Sequence, residues 1–101
     1  MNIQLMLNEY YSTEMSPSQS VSEYVARVEE LVDRLATVKR TITDEAVIAK
    51  IISSLPQKFN SFKRTWDIIP GKFKTKSKLI EHLKKEEQTI RNVEIGKAMI
   101  V

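Results

Sequence analysis

Apolar residues recur along this chain at helical spacing, in segments separated by short polar breaks. Ile3, Met6, Leu7, Tyr10 and Tyr11 predict a first helix over about residues 2–13, and Ser16-Pro17-Ser18-Gln19 breaks it. The second helix is the clearest. Val21, Tyr24, Val25, Val28, Leu31, Val32, Leu35 and Val38 form one stripe, with Glu29, Glu30, Asp33 and Arg34 outside it. Ser20 and Glu23 predict a capping box at its start, and Lys39-Arg40 suit the negative end of its dipole. Thr43 predicts the cap of a third helix, with Asp44 and Glu45 in its first turn and a core stripe of Ile48, Ile51, Ile52 and Leu55. Pro56 ends it and suits the first position of a fourth helix, where Phe59, Phe62 and Trp66 share a face. Pro70-Gly71 stops that helix. Thr75 can cap a fifth, striped by Leu79, Ile80, Leu83 and Ile90. Residues 92–101 read as a frayed tail. The expected fold is all-α, a compact bundle of four core helices plus an N-terminal helix. One cluster of Tyr24, Val28, Leu31, Ile48, Ile52, Leu55, Phe62, Trp66, Leu79 and Leu83 should fill its core.

Length and composition agree with that reading. A chain of 101 residues suits one domain, and 2 Gly and 3 Pro against 42% apolar residues leave few breakers. With no cysteine, the chain can form no disulfide, iron–sulfur cluster or thiolate zinc site. No apolar run approaches the roughly 20 residues that span a bilayer. The N-terminus lacks a basic n-region and carries Glu9, so it does not read as a signal peptide.

Charge changes the picture more. Residues 57–85 hold nine Lys or Arg against Asp67 and Glu81, a local +7 in a chain of net +3. Such asymmetry suggests an anionic partner; its plain alternative is a solvated lysine-rich face. Lys72, Lys74, Lys76 and Lys78 are the candidate RNA contacts. Catalytic chemistry is not evident. The single histidine, His82, has no companions at metal-ligand spacing and supports no catalytic triad. Glycines stand only at 71 and 96, so no phosphate loop is possible. Glu86 and Glu87 diverge by about 100° on a helix and read as a solvated end. Trp66 suits a base-stacking platform, but its spacing with Phe59 and Phe62 favours the core.

The order of these pieces resembles a known family. Met15 is followed by Ser20-Val21-x-Glu23-Tyr24, then by the E-E-L-V-x-x-L run of Glu29–Leu35. I-T-D-E stands at Ile42–Glu45, S-S-L-P at Ser53–Pro56, T-W at Thr65-Trp66, and Leu79-Ile80-x-x-Leu83-x-x-Glu86-Glu87 closes the set. Over residues 5–91 this resembles the Gag polypeptide of copia-type LTR retrotransposons. Ser20–Leu35 is also similar to the major homology region of retroviral capsids, with Ser20, Glu23, Tyr24 and Arg27 in the corresponding places. Two departures stand out. Lys76 and Lys84 occupy positions where the family usually has leucine, and the zinc knuckle of complete Gag proteins is missing.

The resemblance implies a fold like the retroviral capsid C-terminal domain and a non-enzymatic, structural role. Residues 16–91 would be the capsid C-terminal lobe, residues 1–15 a helix linking to an absent N-terminal lobe, and residues 92–101 a tail. The lobe would self-associate, as a homodimer or larger assembly, into cytoplasmic virus-like particles around RNA. No cofactor, membrane or small-molecule substrate is implied. By the same resemblance the third helix would carry the two-fold contact, through Val47, Lys50, Ile51 and Ser54. The alternative is that Val47 and Ile51 simply widen the core stripe. Two other roles compete: a domesticated Gag-derived scaffold or peptide-binding module, and a weak, sequence-independent RNA-binding domain. Residues 1–14 should pack on the core or exchange with a second subunit.

Overall fold

The computed structural model describes the backbone of residues 2–99 and the side chains of residues 2–96. Five helices follow one another: α1 (Ile3–Ser12), α2 (Val21–Thr37), α3 (Asp44–Ser53), α4 (Asn60–Asp67) and α5 (Lys76–Met99). Among the described residues there is no strand. The architecture is an all-α bundle.

Local signals set most boundaries. The Ser20 hydroxyl accepts the Glu23 N–H at 3.1 Å and donates to the Glu23 carboxylate at 3.1 Å. Glu23 thus takes the hydroxyl proton, not the Ser20 N–H that a full capping box would supply. Thr43 accepts the Ala46 N–H at 3.1 Å, and Thr75 accepts the Lys78 N–H at 3.2 Å. The end of α2 is a Schellman turn. Arg40 N–H reaches the Leu35 carbonyl at 2.9 Å, Lys39 N–H reaches that of Ala36 at 3.0 Å, and Lys39 sits at φ 62°. Pro56 does not begin α4 directly. It leads into a 3-10 turn at Gln57–Phe59, whose Phe59 is fully buried.

Helix α2 lies at the centre, touching α1, α3 and α5. Its Val21, Tyr24, Val28, Leu31 and Leu35 join Leu79 and Leu83 of α5, with Phe59, Phe62 and Trp66 completing the core. Each large side chain so buried contributes roughly 1.5–3 kcal/mol. Phe62 and Trp66 stack with ring centroids 6.1 Å apart, and His82 meets Trp66 edge-on at 6.2 Å. Helix α1 is part of this core. Met6, Tyr10 and Met15 are buried in it, so the N-terminal helix packs within its own chain. Met15 N–H donates to the Ser54 carbonyl at 3.0 Å, tying the α1–α2 link to the end of α3.

Two expectations need correction. Ile48 and Ile52 are only half-buried, and the core face of α3 runs through Val47, Ile51, Ser54 and Leu55. Adjacent apolar pairs at 47–48 and 51–52 make the stripe two ridges wide, so periodicity alone leaves the helix rotation open. Tyr24, at 0% exposure on α2, is accommodated by the small Ser54 on the inward ridge. Residues 92–99 continue α5 as helix instead of fraying. The molecule measures 54 × 30 × 17 Å with a radius of gyration of 15.4 Å, larger than the roughly 13 Å of a rounded domain this size. The outer turns of α5 account for this, since residues 91–95 are exposed all round.

Candidate functional site

The candidate sites among the described residues are clefts and a groove at the surface. Among the described residues no three His, Cys, Asp or Glu side chains converge as a metal site, and no helix is long and apolar enough to cross a membrane. His82 is half-buried against Trp66. Trp66 itself is 3% exposed, which removes it as a stacking platform.

Of the homology-like residues, Ser20 and Glu23 shape the start of α2, Tyr24 fills the core, and Arg27 links α2 to α1. Arg27 reaches Glu9 of α1 at 3.6 Å and Glu30 at 3.3 Å. Arg34 reaches the same two carboxylates at 3.5 and 3.9 Å, so Glu9 lies between two guanidiniums. These groups are substantially exposed, and each pair is worth about 0–1 kcal/mol. Burial pushes the Tyr10 and Tyr24 phenols above their ordinary pKa, and neither hydroxyl has a hydrogen-bond partner. Ser54 beside Tyr24 pulls its value the other way without completing a bond.

The expected dimer residues are not on the surface as a set. Val47 is 2% exposed and Ile51 0%, both inside the chain's own core, and Ser54 is buried beneath Tyr24. Lys50 alone reaches outward. Its ammonium donates to the Tyr11 carbonyl at 2.8 Å, capping the end of α1, and lies 5.8 Å from the Tyr10 ring centre. Burial lowers its pKa, opposed by Glu14. The outward side of α3 is different: Ala46, Ala49 and Ser53 are exposed there. With Tyr10, Tyr11, Ile42 and Lys50 they line a groove of about 400 Å³ between α1 and α3. Tyr11, 67% exposed, forms one wall.

The basic segment divides into inward and outward parts. Lys76 turns back to the body, pairing with Glu29 of α2 at 3.7 Å and Asp44 of α3 at 3.9 Å. A leucine there would bury apolar surface; the lysine substitutes an ionic bridge among three helices. Lys58 donates to the Pro17 carbonyl at 2.9 Å, and Lys63 to that of Leu55 at 3.3 Å. Lys78 and Lys85 flank Glu81 at 3.7 and 3.4 Å, holding its pKa below the usual carboxylate range. Lys72 and Lys74 sit on either side of Phe73 in a 3-10 turn at Gly71–Phe73. Of the four lysines expected to contact RNA, Lys72 and Lys74 flank Phe73 ahead of α5, Lys78 lies in the first turn of α5 beside Glu81, and Lys76 turns back to the body.

One residue emerges that local patterning does not reveal. Glu87 is half-buried, and its carboxylate accepts the Val21 N–H at 2.7 Å across 66 residues of sequence. It supplies a cap from α5 to the N-terminus of α2, where the helix dipole favours an anion. It is therefore not a solvated helix end. Beside it lies a polar cleft of about 220 Å³ edged by Lys58, Arg91 and Glu94. A second, partly apolar cleft of about 300 Å³ separates α4 from α5, floored by Phe62, Trp66 and Ile69.

Comparison with curated proteins and with solved structures gives no match. The family described as the gag-polypeptide of LTR copia-type matches residues 1–95, all of α1 to α4 and most of α5. The chain therefore belongs to the copia-type Gag family.

Proposed function

We propose that this chain is a structural Gag module, a capsid C-terminal lobe that self-associates into a retrotransposon particle around RNA. The family match across residues 1–95 carries the reading, since a Gag polypeptide serves a structural role. The α1–α3 groove supports it. Exposed Tyr11, Ala46 and Ala49 form an apolar surface that none of the described residues covers. Small residues on α3 let a second helix approach closely. A two-fold contact there would use the side of α3 opposite Val47 and Ile51. Such a patch is small, and small contacts suit a shell, in which many copies act together.

The test is the mass of the chain by light scattering as concentration rises, with and without RNA. A mass that climbs reversibly from monomer supports self-association, and a further rise with RNA supports assembly around it. A monomer mass throughout the millimolar range, unchanged by RNA, contradicts the reading. The α4–α5 cleft favours a second reading, a scaffold that docks an apolar peptide side chain between the two helices beside the half-buried Ile69.

A further inference from the structure

We propose that the turn between α4 and α5 is a contact for single-stranded RNA, with the Phe73 ring stacking on a base and Lys72, Lys74 and Lys78 meeting the neighbouring phosphates. The inference rests on the RNA part of the function proposed above, and names the site and its mode. Three observations carry it. Phe73 is 53% exposed, although the core a few residues away buries Phe59, Phe62 and Trp66. Its neighbours on both sides are lysines, and no acid occurs between Asp67 and Glu81. The backbone that carries the ring is braced: Phe73 N–H bonds the Pro70 carbonyl at 3.0 Å, and Lys74 N–H bonds that of Gly71 at 3.0 Å. Lys74 further donates its ammonium to the Asp67 carbonyl at 3.4 Å, closing the turn onto the end of α4.

A solvent-facing ring on a braced turn among cations is the arrangement that binds unpaired nucleotides. The Lys72 ammonium lies 5.1 Å from the ring centre, over one face. The exposed part of the ring is what a base would meet, with the Lys72 ammonium beside the sugar–phosphate chain. Stacking needs a base that is free of a helix, so a duplex cannot use the ring. Every base has a π-face, so sequence preference should be slight. Ile68, 82% exposed on the same approach, makes a lipid surface the competing partner. Lysines directly on both sides of Phe73 oppose deep insertion into lipid and favour a ligand that presents ring and anion together.

The experiment is fluorescence anisotropy with labelled single-stranded oligouridylate and a duplex of equal length, at several salt concentrations. Circular dichroism checks that each variant is folded. Phe73→Leu keeps an apolar side chain but removes the π-face. It should weaken single-strand binding about five-fold or more at every salt concentration and leave the salt slope unchanged. Lys72→Ala with Lys74→Ala should instead flatten that slope, by about 0.7 for each phosphate no longer neutralised. Equal single-strand affinity of Phe73→Leu and the native chain overturns the proposal while leaving RNA binding intact. Equal affinity of the native chain for duplex and single strand overturns it too, leaving a merely charged face. Binding to anionic vesicles without binding to RNA overturns both this site and the RNA part of the functional reading.

Discussion

Lys39 holds a backbone conformation that most side chains avoid. At φ 62° it occupies the left-handed position of the Schellman turn that ends α2. That conformation costs a non-glycine residue about 1–2 kcal/mol, whereas glycine's extra freedom when unfolded costs roughly 0.5–1 kcal/mol. Lys39→Gly should therefore raise stability by about 0.5–1 kcal/mol in urea unfolding; a drop in stability would mean that the lysine side chain contributes more than the strain. Tyr24 poses a different problem, a buried phenol with no partner. Tyr24→Phe should be neutral or stabilising by up to about 1 kcal/mol at pH 7. Its effect should grow in alkali. The raised pKa of Tyr10 and Tyr24 means that the unfolded chain loses these protons first, near pH 10. The stability they hold is complete below that pH and is lost as pH rises through the higher folded values. Lys50, with its pKa lowered by burial, works in the opposite sense, because its unfolded form keeps the proton longer. Melting curves at pH 7 and pH 11 should show a smaller alkaline drop for Tyr24→Phe than for the native chain.

At the scale of elements, α2 and α5 are joined by a bond that neither helix encodes alone. The Glu87 carboxylate on the Val21 N–H is charge-assisted and sits at a helix N-terminus. Glu87→Ala should cost about 1–2 kcal/mol. Glu87→Gln should cost less, since its amide oxygen still accepts the bond. Gln88→Ala, on the exposed side of the same turn, should change stability by less than about 0.5 kcal/mol. Equal small effects for all three would show that the cap contributes nothing in solution. The contrast with Ser20, Thr43 and Thr75 explains what was legible beforehand. Those caps act within three residues, so a local pattern reveals them. Glu87 acts across the fold, and only packing brings it to Val21. The helices and most of the core were legible for the same reason: α2 has one narrow stripe. The α3 rotation was not, because Val47-Ile48 and Ile51-Ile52 present two faces of equal hydrophobicity. Lys76 read as a free cation because Glu29 and Asp44 are distant in sequence. The outer end of α5 read as a tail because Val93 and Ile95, both exposed, break the stripe's period.

The whole molecule is flat and long, a shape suited to lateral contacts between copies. Its thickness of 17 Å is less than two helix diameters, so few residues are far from a surface. Helix α3 turns Val47 and Ile51 inward and leaves Ala46, Ala49 and Ser53 outward beside Tyr11. In the proposed assembly this outward side meets its own symmetry mate. Because the chain has no cysteine, one can be placed at will. Ala49→Cys should form a disulfide-linked dimer rapidly under mild oxidation, since a two-fold contact on α3 brings position 49 close to itself, within the roughly 4.4–6.8 Å Cα separation a disulfide needs. Asp33→Cys, on the exposed side of α2, is the control. Cross-linking of Ala49→Cys well above that control, and abolished by dilution, is the predicted result. Equal, slow cross-linking of the two variants would contradict the account.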